Sequence, residues 1–146
     1  MSVDLDRFLA AQAGVHEGAL DELRRGRKVG HWIWFVFPQI AGLGRSPTSQ
    51  RYAIRSLDEA RAYLADPVLG SRIREAAAAL LAAPADRTAD AVLGELDAMK
   101  VRSSMTLFHR AAPDEPAFRA VLERFYDGRA DAATDALLAA PGIEDA

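Results

Sequence analysis

Two groups of residues in this 146-residue chain have the types and spacing to hold a ligand or act on one. In the first, Trp32, Trp34, Phe35, Phe37 and Tyr52 lie among Arg24, Arg25, Arg27, Lys28, Arg45, Arg51 and Arg55, with no Asp or Glu between residues 24 and 55. Aromatic faces beside guanidinium groups are what a nucleotide base and its phosphate require. In this window Trp32 or Trp34 can stack on a ring, Arg45 and Arg51 can hold a phosphate, and His31 and Gln39 can supply polar contacts. The same aromatics also read as core, with the arginines as a solvated face. If buried, each Trp would still need an acceptor for its N–H.

The second group lies between Leu96 and Ala111, where helical spacing puts Lys100, Ser103 and Ser104 on one stripe beside the apolar stripe of Val101, Met105 and Phe108. A desolvated Lys three residues from a Ser can activate it as a nucleophile, which makes a serine/lysine hydrolase one reading. A polar stripe on a solvated helix face is the plainer one, as is a helical ion pair between Asp97 and Lys100. A third feature joins the first group: Gly42-Leu43-Gly44-Arg45-Ser46 leads into Pro47, so flexible backbone, a helix start and two arginines together can form an anion site. It is neither a P-loop nor a complete dinucleotide fingerprint, and a plain capped turn fits it as well.

Metal and thiol chemistry have little to work with. Cysteine is absent, and His16, His31 and His109 are far apart with no helical pair at ligand spacing, so neither a metal site nor a cofactor is expected.

The elements that must position these residues read as helices. Leu5, Phe8, Leu9, Val15, Ala19, Leu20 and Leu23 recur at helical intervals and predict one long amphipathic helix over 5–25, ending near Gly26. The run His31 to Gln39, HWIWFVFPQ, is too short and too continuously apolar to assign by period. With no second strand-like run to pair with it and Pro38 near its end, it reads as a buried irregular or short helical connector. Ser46 and Pro47 open a helix to about Ile54, Ser56 with Glu59 forms a capping box for one through Tyr63, and Asp66 with Pro67 opens another. Asp86 or Thr88 starts a short helix ending at Gly94. Leu96–Ala111 follows, then a helix begun at Asp114 or Glu115 and ended at Gly128, and a last one over 131–139. The sum is an all-α chain: a single multi-helix domain over 1–140, with about six to eight helices, an aromatic connector after the first, and a frayed tail over 141–146.

Composition narrows the function classes. Half the residues are hydrophobic and 27% charged, ordinary for a globular chain. Met1 to Phe8 lacks the order of a signal peptide and no run approaches a membrane span, so a cytoplasmic location is expected by elimination. The net charge of −3 is unevenly spread: seven of the 18 basic residues sit in the acid-free window, and the rest of the chain, with 11 basic and 21 acidic residues, sums to −10. Local charge of this kind steers anions.

Asp4–Phe8 with Gln12, the string from Gly30 to Gln39, Gly42-Leu43-Gly44 with Ser46, Tyr52-Ala53-Ile54, Leu57–Leu64, Asp66–Gly70, Asp97–Lys100 and Ser103-Ser104-Met105-Thr106-Leu107-Phe108 together resemble the domain of unknown function 1810 family over nearly the whole chain. The resemblance implies an intracellular, wholly helical domain of mostly bacterial occurrence. One position departs from it: His16 stands where an aromatic, commonly Tyr, is expected. The leading expectation is a pocket where the connector meets the 100–106 helix, lined by His31, Trp32, Trp34, Gln39, Arg45, Arg51, Lys100 and Ser103 and binding a phosphorylated or nucleotide-like small molecule. A noncatalytic module for an acidic protein or a nucleic acid is the alternative.

Overall fold

In the computed structural model, which describes residues 4–140, the long first helix is broken in two. α1 spans Asp6–Gln12 and α2 spans His16–Arg25. The apolar residues keep their helical spacing across the break, so the pattern does not reveal it. Gly14 adopts a left-handed φ of 75°, which turns the chain so that Phe8 and Gln12 face one part of the core and Ala19, Leu20 and Leu23 another. α2 ends where the sequence places its stop: Gly26 is left-handed, and the Arg27 N–H reaches back to the Glu22 carbonyl at 3.0 Å.

The aromatic run forms a single turn, α3 (Ile33–Val36). It leads into a loop closed at its base by a bridge between Ile40 and Ile54, with the Ile54 N–H donating to the Gln39 carbonyl at 2.8 Å and the Ala41 N–H to the Ile54 carbonyl at 2.7 Å. Inside the loop lies α4 (Pro47–Arg51), capped by Ser46, whose Oγ accepts from the Ser49 N–H at 3.1 Å. From α1, Arg7 Nε donates to the Arg51 carbonyl at 2.8 Å and its Nη2 to the Ala53 carbonyl at 2.9 Å, tying down the returning segment of the loop.

Then come α5 (Leu57–Ala65), α6 (Leu69–Leu81), α7 (Ala89–Leu93), α8 (Glu95–Ala111), α9 (Pro116–Tyr126) and α10 (Ala132–Ala139). Ser56, Thr88 and Asp131 cap α5, α7 and α10 as serine, threonine and aspartate should. Only half of the capping box at α5 forms, because Glu59 turns to the Arg55 N–H and to Arg7 instead of Ser56. Glu115 precedes α9 without capping it and pairs with Arg74 of α6 through contacts of 2.6 and 2.8 Å. The described residues thus form ten helices and no strand. The two beyond the expected range are the second half of the divided first helix and the connector's single turn.

Two long helices carry the packing: α6 lies against α2, α5 and α9, and α8 against α5, α7, α9 and α10. A row of rings joins four elements through the core, with Phe8 against Tyr63 at 5.1 Å, Tyr63 against Phe108 at 5.3 Å and Phe108 against Phe118 at 5.7 Å. Such pairs add about 0.5–1.5 kcal/mol each beyond their buried area. The Gln12 amide donates to the Phe35 carbonyl at 2.7 Å and to the Tyr63 hydroxyl at 3.0 Å, so α1, the connector and α5 share one buried polar link. No described helix is long and apolar enough to cross a membrane. The expected frayed tail over 141–146 lies outside the described residues.

Ser104 sits in this core with its hydroxyl fully buried and no hydrogen-bond partner among the described residues. An unsatisfied buried hydroxyl costs about 1–3 kcal/mol, and alanine is the better helix former. Ser104→Ala is therefore expected to stabilise the fold by about 1 kcal/mol, read as a higher urea midpoint at unchanged slope.

Candidate functional site

The connector is held at its start by one carboxylate. Glu22, on α2, accepts at Oε1 from the N–H groups of Val29 (2.6 Å) and Gly30 (2.8 Å) and from the indole N–H of Trp32 (3.1 Å). Trp32 is thereby sealed at 2% exposure with its polar atom satisfied. Gly30 has to be a glycine, because a Cβ there would lie 2.9 Å from the Trp32 ring. Burial by itself would raise the Glu22 pKa, but the Gly30, Val29 and Trp32 donors and the nearby Lys28 outweigh it and hold the carboxyl below its usual range.

Lys28 differs from the solvated helix-end cation that its position predicts. Its side chain is only 8% exposed, its ammonium lies 2.8 Å from Asp97 Oδ2 on α8, and it sits over the Trp32 ring at 5.0 Å. Asp97 also meets Lys100, but more loosely, at 3.5 Å. Lys100 in turn lies over the Trp34 ring at 5.1 Å and is 28% exposed. The expected Asp97–Lys100 helical pair is thus the weaker half of a Lys28–Asp97–Lys100 row flanked by both tryptophans. The Asp97 charge is taken up first by buried Lys28, which leaves Lys100 the less compensated cation.

Lys100 opens onto a cleft of about 300 Å³ lined by Gln39, Leu43, Gly44, Ser49, Leu96, Met99, Lys100, Arg102, Ser103, Asp131 and Ala133. Three elements build it: one face of α8, the loop closed by the Ile40–Ile54 bridge, and the start of α10. Gly44 lets the loop fold onto α4, since a Cβ there would fall 2.4 Å from that of Ser49. The Arg102 guanidinium is occupied by the carbonyls of Arg129 (2.9 Å) and Ala130 (3.0 Å), which brings the start of α10 against α8. Ser103 Oγ stands 3.1 Å from both the Met99 carbonyl and Asp131 Oδ2, and no hydrogen bond joins it to Lys100.

Of the eight residues singled out from sequence, Gln39, Lys100 and Ser103 line this cleft, and Trp34 supports Lys100 from behind. The structure does not bring the other four to it. Trp32 is spent on Glu22 in the core, His31 is exposed at the connector's start, and Arg45 and Arg51 are exposed on the loop away from the lining. The loop enters through Leu43, Gly44 and Ser49 instead, and the Ser46 cap takes up the start of α4. His16 faces Glu75 of α6, with Nε2 and Oε1 3.0 Å apart, and is not among the lining residues. Asp131, Arg102, Leu96 and Met99 escaped the sequence reading. For Leu96 and Met99 a signal existed: they are apolar residues at helical spacing off the Val101, Met105 and Phe108 stripe, and at 73% and 64% exposure the core does not use them. Among the described residues no group of three or more His, Asp or Glu side chains is placed to hold a metal.

The model of the Protein of unknown function (DUF1810) family matches residues 2–138. The chain belongs to this family. Its fold is also similar to the crystal structure of the conserved hypothetical protein Rv1873 from Mycobacterium tuberculosis, with 47% sequence identity, a TM-score of 0.91 and coverage of 94% of this chain and 97% of that one. No functionally curated protein matches the chain. Of the strings quoted above, Gly30 to Gln39 supplies Gln39 and Trp34, Gly42 to Gly44 supplies Leu43 and Gly44, Asp97 to Lys100 supplies Met99 and Lys100, and Ser103 to Phe108 supplies Ser103 to the cleft or to the row of charges behind it.

The Glu22 contacts give a pH signature. An unfolded Glu titrates near about 4.3, and the folded carboxyl lies lower, so its contribution is complete above that value and is lost as pH falls through the folded pKa. Glu22→Gln should flatten this segment of the stability-versus-pH curve below about pH 4.5, and Glu22→Ala should cost about 2–3 kcal/mol at neutral pH. Urea titrations at stepped pH measure both.

Proposed function

We propose that this DUF1810 chain binds a small organic anion in the cleft between α8, the 39–54 loop and the start of α10. Lys100 carries the reading: a partly exposed ammonium facing the cleft, backed by the Trp34 ring, whose nearest carboxylate already holds a closer, buried lysine. The Leu43, Leu96 and Met99 side chains offer an apolar wall to the rest of the ligand, and Gln39 and Ser49 offer polar contacts. A mixed lining of this kind, at the small end of ligand-site volumes, fits a metabolite bearing a carboxylate or phosphate. Within the earlier expectation of a phosphorylated or nucleotide-like ligand, the anion contact moves from Arg45 and Arg51 to Lys100.

Binding without covalent catalysis is the better-supported form of this reading. A serine nucleophile needs a neighbouring base, whereas the Ser103 hydroxyl is directed to the Met99 carbonyl and Asp131, and Lys100 is directed to Asp97 and Trp34.

Thermal-shift measurements with inorganic phosphate, small carboxylates and phosphorylated metabolites test the proposal. A ligand at 100 times its Kd should add about 2.7 kcal/mol of stability. Lys100→Met should remove the shift, while Arg45→Ala should leave it. Absence of any shift across the panel, or a shift that survives Lys100→Met and disappears in Arg51→Ala, overturns the assignment.

A further inference from the structure

We infer that the ligand of this cleft carries a protonated amine as well as an anionic group, and that Asp131 selects for it; the inference rests on the anion reading above. The Asp131 carboxylate has two unequal oxygens. Oδ2 accepts from the Thr134 N–H at 3.0 Å, the Thr134 hydroxyl at 2.6 Å and the Ser103 hydroxyl at 3.1 Å. The Asp131 N–H is itself fixed to Thr106 Oγ1 at 2.8 Å, and that hydroxyl donates to the Arg102 carbonyl at 2.8 Å. Main chain and side chain are therefore both locked to α8. Oδ1 receives no hydrogen bond from the described residues, and no described cation pairs with the carboxylate: Arg102, the nearest in sequence on α8, is committed to the carbonyls of residues 129 and 130. Asp131 lines the cleft.

Capping does not account for this arrangement. One acceptor atom satisfies the helix start, and Ser or Asn supplies it as well as Asp does. The second oxygen and the full charge are surplus to that role, and Oδ1, which is not among the buried atoms, stays open to a donor that enters the cleft. A ligand ammonium supplies a donor and a charge of the right sign at once.

The spacing of the two charges defines the ligand further. Ser103, which touches Asp131, lies three residues beyond Lys100, a rise of about 4.5 Å along α8. Lys100 and the contact to Asp131 thus stand on adjacent turns of one helix face, which suits a ligand whose anionic and cationic ends are joined by a short aliphatic segment beside Leu43, Leu96 and Met99. With Lys28 and Asp97 paired off, Lys100 and Arg102 against Asp131 leave the lining one positive charge in excess, which favours an amine carrying a phosphate or two carboxylates over a simple amine. The class is small aminoalkyl phosphates and amino acids with an acidic side chain.

Matched ligands separate this inference from the one beneath it. Titration calorimetry would compare O-phosphoethanolamine with ethyl phosphate, and glutamate with glutarate, on the full chain. The expected result is at least tenfold tighter binding of the amine-bearing member of each pair. Asp131→Asn keeps an acceptor for the Thr134 N–H and should bring the members of a pair within about twofold of each other, with an unchanged Tm confirming that the cap survives. Lys100→Met should weaken both members alike. Equal affinities within each pair that still depend on Lys100, or an amine preference that persists in Asp131→Asn, overturn the role of Asp131 and leave the anion site standing. No binding by any of the four overturns both.

Discussion

The carboxylate of Glu22 is the contact on which the site depends. It gathers two backbone donors and one indole donor from the segment that follows its own helix, and so fixes where the aromatic connector enters the core. Without it the Gly30 and Trp32 donors would be left unpaired in a partly buried turn, and the Trp32 indole would lose the acceptor that lets it be sealed. With Trp32 sealed, Lys28 is carried down onto its face and within reach of Asp97. A contact within residues 22–32 thus sets the position of a charge on α8, some seventy residues later in the chain.

The row Lys28, Asp97, Lys100 then acts as a joint between the connector and α8. A buried lysine is tolerated only if its charge is met, and Asp97 meets it at 2.8 Å, with the Gly30 carbonyl and the Trp32 ring completing its surroundings. Having satisfied Lys28 at 2.8 Å, the same carboxylate holds Lys100 more loosely, at 3.5 Å. One acidic residue between two basic ones both locks the structure and leaves one unit of positive charge at the mouth of the cleft. The remaining walls follow from two further closures: the Ile40–Ile54 bridge pinned by Arg7, and the tether of Arg102 and Thr106 to the start of α10.

Much of the fold was legible locally. The caps at Ser46, Ser56, Thr88 and Asp131, the stops at Gly26 and Gly94 and the stripes of α6, α8 and α9 are all set by residues within a turn or two of one another. Capping and amphipathic period act over such distances, which is why they can be read from the chain. The break at Gly14 was not legible, because the apolar spacing continues through it and only the need to bury Phe8 and Leu20 against different neighbours requires it. Of the cleft, Gln39, Lys100 and Ser103 are legible from residue type, whereas the charge of Arg45 and Arg51 and their nearness in sequence to a glycine-rich turn do not place them in its lining.

The sequence by itself determined an all-helical chain of the DUF1810 family, the capped starts of most of its helices, and two chemically distinctive segments, one aromatic and basic and one carrying Lys100 and Ser103. Only the tertiary structure decided which cations are neutralised and which face a cleft. It pairs Lys28 with a carboxylate 69 positions away, brings Asp131 to within 3.1 Å of Ser103 and leaves Leu96 and Met99 outside the core. The physical reason is that charge compensation and desolvation depend on distance in space, and a linear sequence records only distance along the chain.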